Sequence, residues 1–241
     1  IGQSAGIAAL PTLSAQAELG QYAEMRRLMA GILRAMILLA MPAGIGMIIL
    51  RVPLVQVLYE GGQFGPSATQ MVAWALLWYS VGLIGHCLVE VLSRAFYALH
   101  DTRTPVLVSV GAMSLNIGLS LLLSKWFQSL GWMPHGGLAL ANSLATSLES
   151  LILLVLVRGK LKGINGRDIL QGTLVSLLAS AIMGAAVYGF ITLVPLSSQV
   201  LSLIGGVVVG VIVYASVLWL LRVPEVKTAQ KALLARLHPQ D

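Results

Sequence analysis

Apolar runs of about twenty residues recur along this chain, each long enough to cross the hydrocarbon of a bilayer as a helix. A backbone in lipid finds no water, so only helices and closed barrels satisfy their own N–H and C=O groups there. Barrel strands would alternate apolar and polar residues over about ten positions. The runs here do not alternate; 201–221 reads LSLIGGVVVGVIVYASVLWLL. Charged residues make up 10% of the chain, against about 25% in soluble domains, and the mean hydropathy is +0.88. The pattern predicts an all-α, polytopic transmembrane helix bundle. Its 25 glycines suit close helix packing. The single cysteine, Cys87, lies inside an apolar run, which excludes a disulfide framework.

The runs resolve into a partial first span and six complete ones. Residues 1–13 read as the end of a transmembrane helix that starts upstream. Residues 14–27 read as a short polar surface helix with Ser14 as N-cap and Glu18 in its first turn. The first complete span covers 28–50, with a kink at Pro42, and 52–64 is too short to cross and lies on the surface. Ser67 caps the second span, 68–99. Asp101 turns the chain by bonding its own backbone, and Pro105 opens the third span, 105–124, followed by the interfacial pair Lys125 and Trp126. The remaining spans are 137–157, 170–194 (ending at Pro195) and 199–221. This divides the chain into a truncated helix (1–13), a main lobe (14–158), a basic loop with two further helices (159–222) and an amphipathic tail (223–241), a surface helix with Leu233, Leu234 and Leu237 on its apolar side.

Charge supports the same division. Thirteen of the fifteen Lys and Arg fall on alternate loops of one side, and only Arg51 and Lys125 on the other. A net charge of +6 therefore reports topology rather than nucleic-acid binding, and it places the 100–104 turn, the 158–167 loop and the C-terminus in the cytoplasm.

Ionisable groups inside a span are costly and mark function or pairing. His86, Glu90 and Arg94 are four residues apart and stack along one helix face, with Tyr97 and Asp101 continuing the line. If the span ends near Asp101, Arg94 lies ~10 Å, Glu90 ~16 Å and His86 ~22 Å into a bilayer of about 40 Å. With Arg103 they form the candidate substrate pathway or gating row; Glu90–Arg94 reads equally as a structural pair. A second polar set, Asn116, Ser120, Asn142 and Glu149, is a candidate monovalent-cation site of oxygen ligands. His86 and Glu90 alone offer too few ligands for a metal. The chain carries no Walker A, HExxH or GxSxG motif and no Cys/His cluster, so transport is expected rather than catalysis.

The segments AALPTLS (8–14), LYEGGQF (58–64), RAFYALHDTRTPV (94–106) and GGLALANSLATSLESLIL (136–153) make the chain similar, in order and spacing, to the MurJ/MviN family of lipid II flippases. The resemblance implies a fourteen-helix exporter fold of two six-helix lobes plus two extra helices, this chain running from the end of helix 8 to helix 14. It implies alternating-access transport of lipid II across the bacterial inner membrane for cell-wall synthesis, with the last two helices forming a groove for the lipid tail. It also implies that Asn116, Ser120 and Asn142 match positions where some members bind sodium, with Ser120 standing where a carboxylate would strengthen the site; no cofactor is expected, and Na+ or H+ coupling is the ionic alternative left open. The expected partners are lipid II and membrane lipids. The rival readings are another exporter of the same fold, for polysaccharide-linked lipids or drugs, and a non-transporting membrane scaffold.

Overall fold

A computed structural model describes residues 2–194 and 198–223. Among them are eight helices: α1 (Gly2–Glu18), α2 (Tyr22–Tyr59), α3 (Pro66–Val81), α4 (Leu83–Ala98), α5 (Arg103–Ser129), α6 (His135–Lys160), α7 (Gly166–Leu193) and α8 (Gln199–Leu220). Five are long and apolar enough to cross a membrane, and the bent pair α3–α4 makes a sixth if it crosses as one. The amphipathic tail from residue 224 onward and Pro195 lie outside the described residues.

Several local expectations are corrected. Ser14 lies inside α1, which continues to Glu18, so Ser14 caps nothing and Glu18 sits in the last turn. The chain turns at Gly20, whose φ of 66° is left-handed, and the Gln21 N–H closes the turn on the Gln16 carbonyl at 2.9 Å. Residues 22–27 and 52–59 are not separate surface segments. They are the two ends of α2, which passes through Pro42 and Pro53 without a break over 38 residues, ~57 Å. Ser67 is likewise inside α3, which starts with Pro66 in its first turn after Gly65 in extended conformation, with no side-chain cap. The expected third span, 105–124, is longer at both ends: α5 runs from Arg103 to Ser129 and carries Lys125 and Trp126 in its last turns.

The expected span 68–99 is broken at Gly82, where α3 and α4 meet at a 49° bend. The cause lies in α6. A Cβ on Gly82 would stand 2.6 Å from the Ser143 Cα, and one on Gly85 would stand 2.9 Å from the Ser147 Cα. Only glycine lets the two backbones come so close. The break takes the Gly82 N–H to the Tyr79 carbonyl, and the Ser143 hydroxyl donates to the Trp78 carbonyl at 2.7 Å in its place.

α4 ends with His100 left-handed (φ 57°) and the Asp101 N–H returning to the Phe96 carbonyl at 3.0 Å. The Asp101 carboxylate then accepts the Thr104 N–H at 3.0 Å and the Thr104 hydroxyl, and so serves the first turn of α5 from two residues before Arg103. Lys160, in the last turn of α6, forms an ion pair with the same carboxylate and lies 5.7 Å from the centre of the Phe96 ring. Lys160 first, and then Thr104, hold the Asp101 carboxyl well below the usual carboxylate range.

The ends of the helices gather as the charge count requires. At one end Arg26 donates to the Lys162 carbonyl at 3.2 Å, beside the Lys160–Asp101 pair. At the other, the Trp74 indole N–H donates to the Met133 carbonyl, and His135 meets the Met71 carbonyl. Trp74, Trp78, Phe127 and Trp132 pack there with ring centres 5.2–6.4 Å apart. The largest buried cluster joins α1, α2, α4 and α6 through Leu13, Met29, Leu92, Phe96 and Leu153, while α7 and α8 pack on α2.

Gly82→Val should drive a branched side chain into the α6 backbone and cost about 1–3 kcal/mol. Thermal melting of the purified variant against Gly31→Ala, where a Cβ meets nothing within 4 Å, measures it; equal melting would refute the close-approach account. For Asp101, a depressed folded value means that its stabilisation is full above the ordinary carboxylate value of about 3.9 and fades as pH falls through the folded value. Asp101→Asn should therefore lower the melting temperature by the same amount between about pH 7 and pH 5, with the deficit narrowing only below about pH 4. A deficit that stayed constant into strong acid would show that the carboxylate charge plays no part.

Candidate functional site

α4 carries the polar row. His86 is exposed, and its Nε2 meets the Asn142 Oδ1 of α6 at 3.0 Å, with the proton on His86 Nε2, since an amide oxygen only accepts. The close α4–α6 seam at Gly82 and Gly85 brings these side chains together, because it fixes the register of α4 on α6 just before His86. One turn later Arg94 Nη2 donates to Glu90 Oε2 at 3.0 Å. Arg94 is mostly buried and Glu90 partly exposed, at 19% and 40% of their side-chain surfaces. The arginine stem fits against Gly6 of α1, where a Cβ would stand 2.4 Å from its Nε, and this Nε is buried without a hydrogen-bond partner. The pair therefore ties α4 to α1 while its carboxylate remains accessible. Tyr97 continues the row on the exposed side, Asp101 closes the α4–α5 turn, and Arg103 opens α5, exposed.

The four residues grouped as a cation site separate into three pairs. Asn116 accepts from Ser120 one turn away on α5 at 3.3 Å, Asn142 joins His86, and Glu149 accepts from Ser109 across the α5–α6 contact at 2.5 Å. No hydrogen bond links one pair to another among the described residues. Each group satisfies itself within a turn or with an adjacent helix, as small polar side chains in lipid do. The sequence reading missed Ser109 as the partner of Glu149 and Lys160 as the partner of Asp101. The second had a signal: a lysine in the last turn of a helix, a carboxylate in a turn, and both assigned to one membrane face.

A second feature lies on the other flank of α2. An apolar cavity of about 560 Å³ is lined by α2 (from Leu38 to Leu54), α7 (Met183 and Val187) and α8 (from Gly206 to Leu218). Its lining contains no charged residue. The resemblance implies a groove formed by the last two helices; this cavity lies between them and α2, which makes a third wall. Small residues open it: Pro42, Ala43 and Gly46 on α2 face Gly206, Gly210 and Ala215 on α8.

The chain can now be set beside known proteins. A family model described as lipid II flippase MurJ matches residues 1–209. A probable lipid II flippase MurJ of Rhizobium meliloti is 29% identical over 227 residues, covering 90% of this chain and 41% of the relative. One of Vibrio cholerae is 32% identical over 208 residues, covering 82% of this chain and 38% of the relative. A solved structure, lipid II flippase MurJ in an inward closed conformation, superposes with a TM-score of 0.68 at 25% identity, covering 85% of this chain and 40% of that one. The chain thus spans about two-fifths of the length of these relatives. On a match that runs through seven of its eight helices and into the last, the chain belongs to the lipid II flippase MurJ family.

Proposed function

We propose that this chain serves lipid II translocation, as part of an alternating-access transporter in the bacterial inner membrane that takes the lipid-linked peptidoglycan precursor from the cytoplasmic leaflet and releases it on the far side. The observation that carries the reading is the charge-free cavity between α2, α7 and α8. Burial of hydrocarbon is non-directional and scales with area, so an apolar groove of this kind holds a polyprenyl chain without demanding a particular conformation. It is less suited to a sugar or a peptide, whose polar groups would lose water there without gaining partners. The polar row on α4 and α6 offers what the tail groove lacks: hydrogen-bonding and charged groups in His86, Glu90 and Arg94, with the Glu90 carboxylate partly exposed and open to exchange partners as helices move.

The basic connection between α6 and α7 and the helix ends beside it, with Arg158, Lys160, Lys162 and Arg167, support a cytoplasmic assignment for that face and for the end of α8. Transport rather than catalysis is the reading throughout: the row contains a hydrogen-bonded pair and an ion pair, and neither is arranged as a nucleophile with its base.

A hybrid tests the proposal. This chain, replacing the matching segment of the Vibrio cholerae relative, should sustain growth when the resident flippase is depleted and should deliver lipid II to the outer leaflet. Normal membrane levels of the hybrid with lipid II trapped inside would overturn the reading. Within the hybrid, Val207→Trp should fill the groove from a half-exposed wall position. Translocation should fall by roughly tenfold, the loss of about 1.4 kcal/mol of tail binding, with membrane abundance unchanged.

A further inference from the structure

Pro42 lies in the middle of α2 and has no N–H, so the Leu38 carbonyl one turn earlier loses its helical partner. In hydrocarbon such a carbonyl has no water to bind, and it needs a donor from elsewhere in the protein. Tyr214 of α8 supplies one: its hydroxyl donates to the Leu38 oxygen at 2.7 Å. With that proton committed, the tyrosine oxygen is left to accept, and the single proton of the Ser176 hydroxyl on α7 is shared between it at 3.1 Å and the Ile37 carbonyl at 3.3 Å. Ser176 is fully buried. Two hydroxyls therefore join three helices at the one turn where the α2 ladder is interrupted by Pro42. Elsewhere α8 meets its neighbours through aliphatic side chains and through glycines, such as Gly206 against Leu50 and Gly210 against Val187.

Tyr214, Leu38 and Pro42 all line the apolar cavity. We infer that Tyr214 is a positioning residue for the lipid tail: by holding its hydroxyl on the proline-released carbonyl of Leu38, it sets the gap between α8 and α2 and so the width of the groove. The inference rests on the reading of that groove as the tail site. Aliphatic contacts alone let α8 slide or roll at little cost, because dispersion is non-directional; a hydrogen bond to a carbonyl whose i+4 donor a proline has removed is directional and expensive to lose. A tail long enough to fill the groove feels its width, and a short chain does not.

The test is a double-mutant cycle on the full 241-residue chain in nanodiscs, comparing wild type, Tyr214→Phe, Pro42→Ala and the double variant, with Val207→Trp measured beside them as the groove-filling control. The probes are undecaprenyl pyrophosphate and geranyl pyrophosphate, which share a head and differ in chain length. Tyr214→Phe should weaken binding of the long chain about tenfold and of the short chain less than about twofold. Pro42→Ala restores an N–H to the Leu38 carbonyl, so adding Tyr214→Phe to it should change long-chain affinity less than about twofold. Equal losses in both backgrounds would overturn the proposal, since the hydroxyl would then not be serving the released carbonyl. It would also fall if Tyr214→Phe bound normally while Val207→Trp did not, and in that case the groove would stand as the tail site. If Val207→Trp also bound the long chain normally, the tail reading itself would fall and this inference with it.

Discussion

A carbonyl in hydrocarbon that loses its helical donor must find another within the protein, and this demand shapes the fold at two of its interruptions. Where α3 and α4 part at Gly82, the Trp78 carbonyl is served by the Ser143 hydroxyl of α6. Where Pro42 interrupts α2, the Leu38 carbonyl is served by Tyr214 of α8. Each donor comes from a different helix, so each local break also becomes a tertiary contact. Apolar packing fills the space between these helices, but it does not by itself choose a register. A single hydroxyl in lipid does, because misplacing it leaves two polar groups unpaired.

Glycine does the complementary part. At Gly82 and Gly85 the backbones of α4 and α6 approach to a distance no Cβ would permit, and at Gly137 α6 approaches α5 just as closely, with a Cβ placed 2.6 Å from the Leu123 carbonyl carbon. These seams make α4, α5 and α6 a unit whose polar side chains are fixed relative to one another. His86 meets Asn142 and Ser109 meets Glu149 because the backbones beneath them are already locked. The separation of the proposed cation set into pairs follows from the same closeness: on tightly packed helices, a short polar side chain finds its partner within a turn or directly across the seam.

How much of this the sequence disclosed depended on scale. Span number, helical class and the gathering of basic residues at one end follow from hydropathy and charge, which act over about twenty residues and tolerate local error. The Glu90–Arg94 pair was legible because i,i+4 spacing fixes it within one helix. Helix boundaries were not. Polar residues up to 27 and the short run from 52 suggested separate segments, yet α2 runs through 22–59, because the first turns of a membrane helix extend beyond the hydrocarbon and a proline such as Pro53 removes only one bond. The Gly82 break, the Tyr214 contact and the Lys160 partner of Asp101 join residues 56–176 positions apart or depend on such contacts, and no local pattern encodes them. Pro42 marked a local irregularity in its span, but nothing local named Tyr214 as the donor that serves it.

α2 is the partition of the structure. Its one flank packs on α1, α3 and α4, beside the polar row, and its other on α7 and α8, where it walls the apolar cavity. A lipid-linked precursor is divided in the same way, with a polar head and a hydrocarbon tail that cannot share an environment. If the head met the α4 row while the tail lay in the groove, the molecule would straddle α2, and a shift of α4 could change what the head sees without disturbing the tail. That separation demands a groove wall that stays in place while the polar flank moves. A hydrogen bond from Tyr214 into the backbone of α2, rather than into a side chain that could rotate away, is a physical means of providing one.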